Sequence, residues 1–332
     1  MRVHERLKSE LSAAKRKFHP ALQFPLLFAV FSLSQSLMTP FLTLPMMAWL
    51  YTSREFWRLA MDFDIKGAIN YAMNMPDWLM LLMLYLTVFE LVLPILYCRL
   101  AEGRSLSSVG FVKKGAVKQY LVGYLIGAAL ILSTVGISIV TGQSRITFTG
   151  VTFSTILVVI AYFFGYLIQG AAEEVLFRGF FMLSFYGALN RLRERKGSAV
   201  LAVLVSAFLF AFAHVLNPGF TPLAFLSIFL TGILFGLYIL RTGSILGACA
   251  MHSAWNFILG NILGVQVSGT MASSSIFHTV DIGKTSFING GAFGLEGGIG
   301  DIVVTCIAIL LVLFLPRLSK NKDESIETAP SL

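Results

Sequence analysis

The chain has 332 residues, of which 56% are hydrophobic and only 13% charged, and its mean hydropathy is +0.79. A soluble domain carries about 25% charged residues, so this composition excludes a water-soluble protein and makes the bilayer the solvent. The net charge of +8 does not point to nucleic acid, because the cations sit at the edges of apolar runs, where membrane topology accounts for them.

The chain opens with a basic segment, 1–23, that lacks the apolar core and cleavage site of a signal peptide. Apolar runs long enough to span a bilayer follow at 24–50, 78–98, 119–141, 153–188, 198–216, 222–240, 245–264 and 301–316. The expected fold is therefore all-α, a polytopic membrane protein of about eight transmembrane helices. Pro40 and Pro45 interrupt the first run and predict a kink. The fourth run is too long for one perpendicular crossing, so it tilts, breaks or projects. The stretch 52–70 suits an interface. The Gly-, Ser- and Thr-rich stretch 265–300 reads as an irregular extracytoplasmic loop. No internal repeat supports an inverted-repeat transporter. Cys98, Cys249 and Cys306 lie in apolar segments without CxxC spacing, which supports neither a disulfide framework nor a thiolate zinc site.

Cations mark alternate loops. The N-terminus carries Arg2, Arg6, Lys8, Lys15, Arg16 and Lys17, and the loop after the second run carries Arg99, Arg104, Lys113, Lys114 and Lys118. The sequence RLRERKG at 191–197, then Arg241, then Arg317, Lys320 and Lys322 in the tail continue the pattern. The positive-inside rule puts both termini in the cytoplasm and requires an even number of spans.

Polar residues inside apolar runs are costly, so they nominate a site. Three pieces stand out. Glu173 and Glu174 precede Arg178, and Glu174 is four residues from Arg178, on one helix face. Glu173 lacks that partner and has Gln169 one turn before it. Phe210 precedes His214 by one turn, and His252 precedes Asn256 by one turn. Positions 173 and 214 are equidistant from the loop 191–197, so an antiparallel pair of helices would bring them to similar depth. Each piece also has a structural reading: helix–helix hydrogen bonds for either histidine or Asn256, and a structural ion pair for Glu174 and Arg178. Glu90 in the second run reads as structural or pathway-lining. Together the three pieces suit water activation, with a carboxylate as general base, imidazoles to orient water or meet an oxyanion, and an amide NH2 as donor. Attack on a peptide carbonyl fits these parts.

With the motifs EExxxR, FxxxH and HxxxN in this order at Glu173–Arg178, Phe210–His214 and His252–Asn256, the sequence resembles the CPBP family of intramembrane proteases. That family, CAAX protease and bacteriocin-processing, includes the Ras-converting CAAX endopeptidase. The resemblance covers about 150–264, and 104–114 and 285–298 look like family flanks. It implies a CPBP/CAAX protease core over 151–264, between N-terminal transmembrane helices at 24–150 and the loop 265–300. The segment 301–332 then holds the last helix and a cytoplasmic tail. It implies an active-site cavity open to the cytoplasm, with Glu173 activating water beside His214, and His252 and Asn256 forming an oxyanion site. Glu174 and Arg178 would support the site or hold substrate.

A zinc ion held by Glu173, His214 and His252 is the alternative cofactor arrangement. The metal-free route is preferred, because Asn256 suits an oxyanion donor and is a poor zinc ligand. The tetrapeptide GIGD at 298–301 matches a presenilin-like GxGD pattern, but that chemistry needs a second aspartate and no aspartate is placed inside a span. No GxSxG supports a serine protease. The rival class is a non-catalytic or transporter-like membrane protein that binds a peptide or protein partner. The expected partners are a peptide or membrane-protein substrate and the lipid bilayer, without nucleic acid, and the expected location is a bacterial plasma membrane. A cysteine replacing Lys196 should stay unlabelled when an impermeant thiol reagent is added to intact cells, and labelling there would overturn the orientation.

Overall fold

The computed structural model describes residues 3–15, 18–148, 150–192, 197–283 and 286–314. Lys196 and the tail cations lie outside the described residues. Fourteen helices dominate the described residues. The chain begins with α1 (Glu5–Ser12), which buries Leu7 and Leu11. The basic N-terminal segment is thus docked over this stretch. Next comes α2 (Pro20–Thr52), with proline at its first position, where its missing N–H costs nothing. This helix continues past Pro25, Pro40 and Pro45. The segment expected at an interface forms two short helices, α3 (Arg54–Met61) and α4 (Ile65–Met73).

The second apolar run forms α5 (Asp77–Leu86) and α6 (Val88–Leu100), separated only by Thr87, whose hydroxyl donates to the Leu84 carbonyl at 2.6 Å. The third is α7 (Ala116–Val140), followed by β1 (Ser144–Phe148). The fourth run resolves the length problem without breaking. Helix α8 (Phe153–Glu174) passes through a π-helical stretch, Val175–Met182, into α9 (Leu183–Leu192). Every residue of the π stretch is buried. Then come α10 (Ser198–Ala213), α11 (Pro222–Thr242) and α12 (Leu246–Phe257), the last prolonged by a π turn at Ile258–Ile262. The chain closes with β2 (Phe277–Asp281), α13 (Ser286–Asn289) and α14 (Ile299–Phe314).

All eight apolar runs are helical over their described residues, and among the described residues five helices are long and apolar enough to cross a membrane: 21–52, 77–100, 116–140, 153–191 and 222–242. Helices α10 and α14 are apolar but shorter. Helix α12 is buried from Gly247 to Asn256, so it meets protein rather than lipid.

The stretch 265–300 departs from expectation. Its second half, around 289–300, is mostly buried, and the part before it is half-buried among the described residues. Strand β2 pairs antiparallel with β1, Ser144 opposite Asp281. Two short 3-10 turns follow, and Phe293 and Leu295 enter the core. The glycines that suggested irregularity serve close approach: Gly290 has φ 76°, and a Cβ there would lie 1.8 Å from the Gly294 carbonyl oxygen.

A second glycine device sets α12. Gly123 and Gly127 on α7 form a GxxxG pair, and Cβ atoms there would lie 2.3 Å from the carbonyl oxygens of Gly247 and Met251. Small residues let helix backbones touch in a membrane. On another side of α12, a Cβ at Gly170 of α8 would lie 2.6 Å from Ser253 Oγ.

The two ends of the bundle differ chemically. At one end Arg6 donates to the carbonyls of Ser107 and Phe111, each at 3.2 Å, and to that of Gly243. Arg191 donates to the Phe18 carbonyl at 2.9 Å, and Arg241 to the Leu313 carbonyl at 3.1 Å. The cation-bearing loops therefore gather into one basic rim. At the other end Asn217 donates to the Ser268 carbonyl, and Ser273 and Ser274 bond Asp77.

Gly127→Val should force α12 away from α7, at the roughly 1–3 kcal/mol typical of overpacking, and so lower the thermal unfolding midpoint in detergent. Gly136→Val, on the same helix with no atom within 4 Å of its Cβ position, should leave that midpoint in place.

Candidate active site

Glu173 and Glu174 end α8 on adjacent faces, and the helix geometry gives them unlike surroundings. Glu174 and Arg178 are both fully buried, and Arg178 Nη1 donates to Glu174 Oε1 at 2.9 Å. The guanidinium lies over Phe210, its Cζ 4.1 Å from the ring centroid, with Phe235 at 5.7 Å. A desolvated cation over an aromatic face gains about 2 kcal/mol. The same Glu174 oxygen is 3.0 Å from His252 Nδ1. An ionised carboxylate only accepts, so His252 Nδ1 carries the proton. Glu174 thereby fixes both Arg178 and the imidazole.

Glu173 keeps 17% of its side chain accessible, against none for Glu174. Gln169 Nε2 donates to Glu173 Oε1. The other oxygen, Oε2, has no hydrogen-bond partner among the described residues and is 3.7 Å from His252 Nε2. That separation is too long for a direct bond. It suits one water beside the pair, bonded to both at ~2.8 Å.

His214 caps α10. Its Nδ1 is 2.8 Å from the Phe210 carbonyl, which only accepts, so Nδ1 is the protonated nitrogen and Nε2 is left for the cavity. Asn256 Nδ2 donates to Gln169 Oε1 at 2.9 Å. Gln169 thus links Asn256 to Glu173. Because the carboxylate accepts, the glutamine amide orientation is set, and with it that of Asn256. The position of Gln169 one turn before Glu173 was legible in the sequence, but its bond to Asn256 was not.

These groups line one cavity of about 270 Å³ that includes Gln169, Glu173, Phe210, His214, His252 and Asn256. Glu174 and Arg178 stand behind its wall. Met38, Met80 and Met83 form an apolar side. Glu90 lies outside the lining, bonded by Gln35 at 2.5 Å.

Two lining acids were missed by sequence reading. Glu296, from the stretch read as an irregular loop, accepts from Trp255 Nε1 at 2.8 Å and from the Ser268 N–H at 2.5 Å. Asp301, at the very start of the last apolar run, is buried in the first turn of α14. It accepts from Ser227 and, at 3.1 Å, from Thr134. Both its bonds go to hydroxyls, and no second aspartate hydrogen-bonds it among the described residues, so GIGD does not build an aspartate dyad.

Among the described residues no group of three His, Cys, Asp or Glu side chains stands close enough to hold a metal ion. His214 and His252 each have Nδ1 engaged and Nε2 left toward the cavity.

Fold and cluster together define a polytopic helical membrane protein whose cavity is lined by the carboxyls of Glu173, Glu296 and Asp301, two imidazoles and the amides of Gln169, Asn217 and Asn256. Residues 154–258 match the family described as type II CAAX prenyl endopeptidase Rce1-like. The match spans about a third of the chain, is consistent with the CPBP resemblance, and supports a CAAX-type intramembrane endopeptidase. No curated protein and no solved structure matches the chain significantly.

Glu174→Gln should weaken the hold on Arg178 and destabilise the protein by about 3–5 kcal/mol, the usual cost of breaking a buried pair. Glu173→Gln should unfold close to wild type, since it removes no ion pair with Arg178. Equal destabilisation of the two in thermal unfolding would refute the division.

Proposed function

We propose that the chain hydrolyses a peptide bond of a membrane-associated substrate through water activated by Glu173. One observation carries this reading: of two adjacent glutamates, one is locked by Arg178 and His252, and the other turns an unpartnered oxygen toward an imidazole inside a cavity. A structural pair alone would account for Glu174 and leave Glu173 without a purpose.

The chemistry follows from the donors and acceptors. Water between Glu173 Oε2 and the imidazoles loses a proton to Glu173 as its oxygen attacks the carbonyl carbon. His214, with Nδ1–H spent on the Phe210 carbonyl, offers Nε2 as an acceptor that orients the water. A proton on His252 balances the charge of two carboxylates against one guanidinium, so its Nε2–H meets the developing oxyanion. The second N–H of Asn256, the one not given to Gln169, is the other donor. As the tetrahedral intermediate collapses the C–N bond breaks, and Glu173 returns its proton to the leaving amine. The nearly dry surroundings strengthen each of these contacts.

The substrate class is proposed on the Rce1-like match, so the assay probe is an internally quenched peptide bearing a prenylated cysteine three residues from its C-terminus. Glu173→Gln should abolish cleavage of that probe. Asn256→Ala should lower kcat by roughly 10²–10³, the worth of one oxyanion donor, at nearly unchanged KM. The donor set argues for a route without a metal. Dialysis against a chelator should leave turnover in place. Activity lost on stripping and restored by zinc would refute that route.

A further inference from the structure

A tight turn with a strained backbone forms part of the cavity wall. Val267 and Thr270 pair as an isolated antiparallel bridge, with N–H to carbonyl bonds of 2.7 and 2.9 Å in the two directions. The residues between them, Ser268 and Gly269, have φ 48° and 84°. Positive φ at both central residues marks a type I′ turn, a geometry dominated by Gly, Asn and Asp. Gly269 obeys that rule, and a Cβ there would lie 2.0 Å from the Pro218 carbonyl oxygen. Ser268 departs from it, because in the left-handed region its Cβ crowds the following carbonyl. Among the described residues the one other non-glycine with positive φ is Phe63, which is exposed.

The surroundings hold Ser268 in this state. Glu296 Oε2 accepts from its N–H at 2.5 Å, and Asn217 Nδ2 donates to its carbonyl at 3.0 Å. The Gly269 N–H donates to the Phe293 carbonyl at 3.0 Å. Glu296 also accepts from Trp255, the residue before Asn256, and the Asn217 N–H donates to the His214 carbonyl at 2.9 Å. The turn is therefore anchored to the two segments that carry His214 and Asn256. Val267, Ser268 and Thr270 line the cavity together with Glu173, His214 and Asn256. Strained residues persist where their surroundings over-determine them, and they cluster at ligand clamps and active sites.

The polar groups of this wall are mostly spent inside the protein. Both oxygens of Glu296 and both of Asp301 accept bonds. Thr270 Oγ1 donates to the Val267 carbonyl at 2.8 Å. The two bonds of Ser268 use its backbone, which leaves the hydroxyl as the group it can offer to the cavity. We infer that Ser268 is a substrate-binding residue, its hydroxyl meeting a main-chain amide of the peptide that occupies the cavity. A hydroxyl both donates and accepts, so it pairs with the C=O or the N–H of a peptide group and asks for no charge on the substrate. Because the turn is fixed at three points, the contact forms without ordering a mobile loop. The inference rests on the peptidase reading above and adds a binding contact from the stretch 265–300.

Two substitutions separate binding from folding. Glycine adopts positive φ without strain, so Ser268→Gly should keep the thermal unfolding midpoint at or above that of wild type. Ser268→Ala keeps the strain and lacks the hydroxyl. Both should raise KM for the quenched prenylated peptide by roughly two- to tenfold, the worth of one hydrogen bond, with a smaller change in kcat, as expected for a contact made equally in ground and transition states. Unchanged KM in both variants would overturn the inference, since the turn would then be structural alone. Anisotropy of a fluorescent form of the same peptide, titrated with Glu173→Gln protein, reads binding apart from cleavage. Adding Ser268→Gly to that protein should weaken binding by a similar factor, and equal binding with and without it would overturn the inference. The peptidase reading fails on a separate result, wild-type cleavage by Glu173→Gln alone, which leaves the binding comparison untouched.

Discussion

The buried pair of Glu174 and Arg178 is the constraint around which the site is organised. Two charges withdrawn from water cost several kcal/mol each, so the surroundings must return that energy in fixed contacts. They do so through the 2.9 Å ion pair, the Phe210 face beneath the guanidinium and the 3.0 Å contact to His252. Each of these contacts also immobilises a group of the cluster. Phe210 is held at the end of α10, one turn before His214. His252 is held in one ring orientation on α12. A charge pair that would be poor value for stability alone therefore fixes three helices relative to each other.

The neighbouring glutamate illustrates how one residue of sequence offset separates two roles. Glu173 is turned about 100° around the helix from Glu174, which removes it from the guanidinium and delivers it to the cavity. Gln169, one turn back, supplies a neutral donor rather than a cation. A neutral donor holds the carboxylate in place without the tight ion pairing that would make it a reluctant base. The two amides and the carboxylate then form a single chain whose direction is dictated by the acceptor at its end.

Much of this was legible in the sequence because helical spacing is rigid. The four-residue separations at Glu174–Arg178, Phe210–His214 and His252–Asn256 translate directly into shared faces, and the apolar runs into helices. What was illegible depends on contacts between distant segments. Glycine in 265–300 looks the same whether it loosens a loop or permits backbones to touch, so the burial of Glu296 and the β1–β2 pairing could not be read. The polar partners of Asp301 lie on α7 and α11, and no local pattern announces them. The GxxxG pair on α7 carries a signal of its own, a spacing that marks close helix contact without any charged residue.

Helix α12 carries His252 and Asn256 and is wedged with no space to spare. Gly123 and Gly127 bring the α7 backbone against it, and Gly170 brings α8 against Ser253. Backbone-to-backbone contact leaves no compressible side chains between these helices, so this half of the cavity behaves as an anvil. Any widening needed to seat a polypeptide must then come from the opposite wall, where the flexible thioethers of Met38 on α2 and of Met80 and Met83 on α5 yield by rotating about single bonds. In the proposed reaction, positioning of the reacting groups and accommodation of a peptide would thereby fall to different walls of one chamber.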